Sequence, residues 1–139
     1  MILPKVRDPR FITVRRGGSL SDDDHQRLAI WAADCAEHVL PIFEQARPGD
    51  DRPRRAIELG RAWARGEIPW AGARTAAGHA NGAARDLRGA AREAAPDDEI
   101  EAGRAECRWQ RGRLPGEIRE LVLDDMRLRT ALCWFVFDC

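Results

Sequence analysis

Large apolar side chains recur along this chain at gaps of three and four rather than two, the spacing of helices with one buried face. Leu28, Trp31, Cys35, Val39, Ile42 and Ala46 follow it and predict one amphipathic helix of about 25 residues starting after Ser21. Ser21 has a good N-cap side chain, and Asp22, Asp23 and Asp24 complement the positive end of the helix dipole. Pro41 lies inside that helix and predicts a kink or break near Glu37–His38, because it has no N–H to donate backwards. After the turn at Pro48-Gly49-Asp50-Asp51, Asp51 is positioned to cap a second helix. Pro53 falls in its first turn, Gly66 at its C′ position and Ala56, Gly60 and Trp63 on its inner stripe.

A third helix is predicted from Ile68-Pro69-Trp70 to Ala95, where Pro96 stops it. Its stripe of Ala73, Ala76, Ala77, Ala80, Ala84, Leu87 and Ala91 is nearly all small. Such a stripe lets helix axes approach closely but buries little area, so it needs large partners; Trp31, Trp63 and Trp109 are candidates. Asp97 or Asp98 caps a fourth helix through Trp109 to Gly112. Leu114-Pro115 opens a fifth with Ile118, Leu121 and Val122 inward. Asp124-Asp125 divides it from a last one carrying Met126, Leu128, Leu132, Cys133, Val136 and Phe137. Phe11-Ile12-Thr13-Val14 is a short candidate strand ended by Gly17-Gly18. The expected fold is all-α, a compact bundle or short solenoid of five to six helices. It forms one domain over residues 1–139, with an extended arm at 1–18 and a helical body at 19–139.

Composition narrows the function classes. The chain has 139 residues with 23 basic and 23 acidic side chains, so no excess positive charge points to nucleic acid or a membrane surface. Lys5 is the sole lysine beside 22 arginines, and there is no tyrosine, a skew that reads first as genomic base bias. Charge and proline arrive too early at the amino terminus for a signal peptide, and the longest apolar run, Ala131 to Phe137, is too short for a membrane span. The expected location is cytoplasmic. Cys35, Cys107, Cys133 and Cys139 form no C-x-x-C pair and read as reduced thiols, mostly small core residues. Net charge alternates in blocks, −6 over residues 21–51 and +6 over 52–92. Such blocks either attract one another across helices or segregate into opposite faces that steer a charged partner.

Several constellations carry potential chemistry. Cys35 and His38 lie three apart with Asp34 beside them, the spacing at which an imidazole reaches a thiol. Together with His79 they define an interhelix pocket for a small ligand or a thiol-dependent enzyme; the competing reading places Cys35 in the core, where a buried thiol is inert. No histidine or cysteine pair has the local spacing of a zinc site, and no cofactor is expected. Arg15-Arg16-Gly17-Gly18 is either an anion-binding turn or a solvated loop paired with Asp22–Asp24. Asp124, Asp125, Arg127, Arg129 and Asp138 read as caps and ion pairs. Trp134 to Phe137 is apolar all round, as a buried helix or an interface, including that of a homodimer, would be.

Read together, several stretches resemble one family. They are Asp8-Pro9-Arg10, Arg15 to Gly18, Trp31 to Leu40, Arg52 to Glu58 and Arg61 to Ile68, followed by Glu106 to Arg111, Leu121 to Asp125 and Cys133 to Asp138. Their order and spacing are similar to the Imm-five-like immunity proteins, small actinobacterial chains. Where that family carries a further alanine-rich helical stretch between the counterparts of Arg85 and Glu106, this chain has only Asp86 to Ala105, with Pro96 in the middle. The resemblance implies an antidote to a secreted polymorphic toxin that acts by covering it, with no catalytic residues. The partner it implies is a cognate toxin protein, not nucleic acid or membrane. On charge, the acidic groups Asp22, Asp23 and Asp24 and Asp50 and Asp51 are the candidate partner-binding residues, suited to a basic partner such as a nuclease.

Overall fold

A computed structural model describes residues 6–94 and 98–130, except for the side chains of 84–94, 98–100, 102 and 103. The described chain is all-α. It holds five helices, α1 (Asp22–Ala46), α2 (Arg52–Ala64), α3 (Trp70–Ala94), α4 (Asp98–Gly112) and α5 (Gly116–Arg129), preceded by two 3-10 turns at Pro9–Phe11 and Val14–Arg16. They group into two units, one of residues 1–28 and 97–139 and the other of residues 29–96, so α1 contributes to both.

The first unit begins with a segment that sequence alone reads as a strand. Phe11–Val14 instead forms parts of the two 3-10 turns, and the only β-pairing among the described residues is a single bridge between Thr13 and Leu20. Two local features override the β-propensity. Asp8 accepts the Arg10 amide at 2.9 Å, which caps the first turn. Gly17 turns the chain in the left-handed region at φ +85°, and a Cβ on Gly18 would collide with the Ile12 carbonyl. The Arg10 guanidinium then forks to Asp8 at 2.8 Å and to Asp124 on α5 at 3.0 Å, fastening this segment to the unit's last helix. On α5, Ile118, Val122 and Met126 repeat every four residues and are all buried, with Ile118 only 1% exposed. Leu20, Cys107 and Leu114 are buried in the same unit. The end of α4 is closed by Arg119, which donates to the Leu114 carbonyl at 2.9 Å and the Arg111 carbonyl at 3.3 Å.

Asp124-Asp125 does not divide α5. The helix runs through both, because their carboxylates accept from Arg127 and Arg129, three and four residues on, at 2.7 Å each. Leu128, placed with an inner stripe by periodicity, is 72% exposed. Leu132, Cys133, Trp134, Val136, Phe137, Asp138 and Cys139 lie outside the described residues.

Within the first unit α1 starts where its cap predicts: the Ser21 hydroxyl accepts the Asp24 amide at 3.0 Å, and from Ala29 the helix belongs to the second unit. It continues unbroken through Pro41 to Ala46. Its buried stripe is displaced from the spacing of its large side chains. Ala33, Cys35 and Leu40 are buried, while Val39 is partly exposed, Ala46 is exposed and Ile42 is 69% exposed. Ala33 and Leu40 meet Ile57 of α2 in one apolar cluster. Asp51 stands at the N-cap of α2 without a side-chain bond; its neighbour Asp50 takes the Arg52 amide instead. The helix ends in a Schellman turn: Gly66, at φ +77°, donates to the Trp63 carbonyl and Glu67 to that of Ala62. Along α3, Ala73, Ala76 and Ala83 are buried, whereas Ala77 is exposed; the side chains of Ala84, Leu87 and Ala91 fall outside the described residues.

Candidate functional site

The three helices of the second unit enclose a groove of about 550 Å3. From α1 come Ala29, Ala32, Ala33, Ala36, Leu40 and Phe43, with Val39 at the edge; α2 contributes Pro53, Ala56, Ile57, Gly60 and Trp63. Trp70, Ala73, Ala77 and Ala80 of α3 complete it, together with Arg74, its one charged lining residue. The most buried lining residues are Ala33, Leu40, Ile57 and Ala73, and about half of the lining is alanine and glycine. Those small side chains cannot span the space between three helices, and so the gap stays open. At one end Trp63 and Trp70 meet edge to face, ring centroids 4.9 Å apart. Trp70 is 48% exposed there, an unusual cost for so large an apolar ring in water.

Ion pairs hold the walls of this groove. Arg61 of α2 donates to Asp34 and Glu37 of α1, at 2.7 Å to each, and Arg54 reaches Glu44 at 2.6 Å. The Arg61 hydrogen bonds hold the Glu37 carboxyl below its ordinary value, and the two carboxylates together push the Arg61 guanidinium upward. Arg74 differs from these arginines: it is exposed, and among the described residues it makes no ion pair.

The residues of the thiol–imidazole pocket do not gather at this groove. Asp34 is engaged by Arg61, Cys35 is buried, and His38 is exposed on α1. His79 lines a different and more polar cavity, with Asp51, Arg52, Arg55 and Thr75. Among the described residues no group of three His, Cys, Asp or Glu side chains is arranged to hold a metal ion.

The acidic candidates are divided between the units. Asp22 pairs with Arg15 at 2.7 Å and Asp24 with Arg27 at 2.8 Å, while Asp23 is exposed. The Arg15–Asp22 contact places the Arg15-Arg16-Gly17-Gly18 turn in the ion-paired alternative. In the second unit Asp50 is held by Arg52, which keeps its carboxyl below the ordinary range, and Asp51 is exposed. The groove itself went unanticipated as a site. The small residues on the third helix, which read as a packing stripe, are part of its lining, as are the alanines of α1.

No helix among the described residues is long and apolar enough to cross a membrane. The family described as "Imm-5 like putative immunity protein" matches residues 18–97, which span α1, α2 and α3 and stop short of α4. No curated protein and no solved structure matches the chain.

Proposed function

Because the chain belongs to the Imm-5 like immunity family, we propose that it neutralises a cognate bacterial toxin by binding it directly in the cytoplasm, without catalysis. The observation that carries this is the extent of the family match, which takes in all three helices of the second unit. Binding of this kind draws its affinity from a few buried aromatic or arginine anchors, while complementary charge speeds the encounter. The exposed members of the acidic groups, Asp23 and Asp51 foremost, serve the second role toward a basic toxin. Asp22, Asp24 and Asp50 contribute less, since arginines of this chain already engage them.

The test is to find a secreted toxin among the neighbouring reading frames, co-express its toxic domain with this chain and purify the complex. Restored growth and a co-purifying pair are expected; failure to protect against that toxin overturns the reading. Reversing Asp23 and Asp51 to lysine slows association with a basic toxin at low salt, and an unchanged, salt-independent on-rate removes their steering role.

A further inference from the structure

We propose that the groove between α1, α2 and α3 is where the toxin docks, and that it receives an amphipathic helix carrying an acidic side chain opposite Arg74. This rests on the immunity reading above and adds the surface and the chemistry of what it recognises. The groove is long rather than round. Its lining runs from Ala29 to Phe43 on α1, about 21 Å at 1.5 Å per residue, and about 15 Å along both α2 and α3. That matches the length of a partner helix of roughly ten to fourteen residues. The many alanines of the lining leave room for large side chains at i, i+3, i+4 and i+7, and Trp63 and Trp70 offer the aromatic surface in which binding energy concentrates. Charge fixes the orientation. Arg54 and Arg61 are already matched by carboxylates of α1, whereas Arg74 lines the groove with no ion pair among the described residues, so the complementary charge comes from the partner.

Ala36 and Ala77 both line the groove and are solvent-exposed, so larger side chains there fill the space without disturbing the buried core. Ala36→Phe and Ala77→Trp are each expected to weaken toxin binding by at least about thirtyfold. Their melting temperatures should be unchanged or raised, since the added side chain covers apolar surface that the free protein leaves wet. Arg74→Glu is expected to weaken binding about two- to fivefold, and a lysine in place of the facing acid on the toxin restores it. If the wild type protects against the toxin and the folded groove variants protect equally, the groove is not the docking site and the immunity reading stands. If the wild type protects against nothing, both readings fall. A change of oligomeric state in Ala77→Trp with toxin binding intact assigns the groove to a second copy of this chain, and a small molecule retained there in native mass spectrometry assigns it to a ligand; either overturns the proposal.

Discussion

Replacing Ile118 by alanine tests the packing of α5 where it is tightest. The side chain is 1% exposed and shares its face with Val122 and Met126. The substitution removes three carbon groups, worth about 2.4 kcal/mol at roughly 0.8 kcal/mol each. The space left behind, on the order of 80 Å3 before relaxation, adds up to about 2 kcal/mol at roughly 24 cal/mol per Å3, and partial collapse halves that. Alanine's better helix propensity returns a few tenths of a kcal/mol. The net loss is about 3 kcal/mol, a large share of the roughly 5–15 kcal/mol that holds a domain together. With an m-value near 1.5 kcal/mol/M, the urea midpoint followed by helical circular dichroism falls by about 2 M. Leu128→Ala on the same helix is the matched control: the side chain is 72% exposed and its loss should stay within about 0.5 kcal/mol. Equal effects of the two substitutions, or a loss below about 1 kcal/mol at Ile118, would falsify the assignment of the buried face of α5.

Arg61→Gln removes the fork from α2 to Asp34 and Glu37, and should lower stability by about 0.5–1 kcal/mol at low salt and by less in 1 M sodium chloride, as read from urea melts. Gly66→Ala meets no atoms, so its cost is the left-handed backbone alone, about 1 kcal/mol or a drop of roughly 3 °C in calorimetry. Among the described residues, arginine-paired carboxylates and one histidine both make stability sensitive to acid. Glu37 and Glu67 are held below their ordinary value of 4.5 by Arg61 and Arg65, so their contribution is complete above that pH and disappears as pH falls through the lowered values. Burial holds His25 below 6.5 against the pull of Asp22, so the unfolded chain takes up the proton first and stability begins to decline as pH drops past 6.5. Urea midpoints from pH 7 to about 3 should therefore show a shallow early slope that His25→Gln removes and a steeper late one that Arg61→Gln reduces.

The helical signals survive folding where backbone chemistry fixes them. Ser21 starts α1, and Gly66 closes α2 because only a residue tolerant of positive φ completes that turn. What misled was side-chain size. The stripe through Trp31, Val39 and Ile42 follows the largest apolar residues of α1, yet the face toward the groove is built on Ala29, Ala32, Ala33 and Ala36. Alanine reads weakly in a periodicity weighted by hydrophobic area, and α1 gives its first turns to one unit and the rest to the other. The Asp124-Asp125 pair looked like a cap because adjacent aspartates favour helix starts; ion pairs to Arg127 and Arg129 let the helix pass through. The groove was illegible for a further reason: a space is lined by three helices at once, and no single helix's pattern records it.

The alternating charge blocks bear on how such a groove would be used. The acidic block at 21–51 and the basic block at 52–92 meet across α1 and α2, through Arg54 with Glu44 and Arg61 with Asp34 and Glu37. In the first unit Arg10 and Asp124 join the chain's basic start to its acidic end in the same manner. Among the described residues these pairs offset charge within each unit, which reduces what each pair contributes to the field reaching a distant partner. Paired side chains add little to long-range attraction, so affinity rests chiefly on contacts made after encounter, where the off-rate is set. A long apolar groove ending in two tryptophans and bordered by Arg74 supplies contacts of that kind. On this reasoning, substitutions within the groove should act chiefly on dissociation of the toxin and those at Asp23 and Asp51 chiefly on association, a division that surface plasmon resonance at two salt concentrations separates.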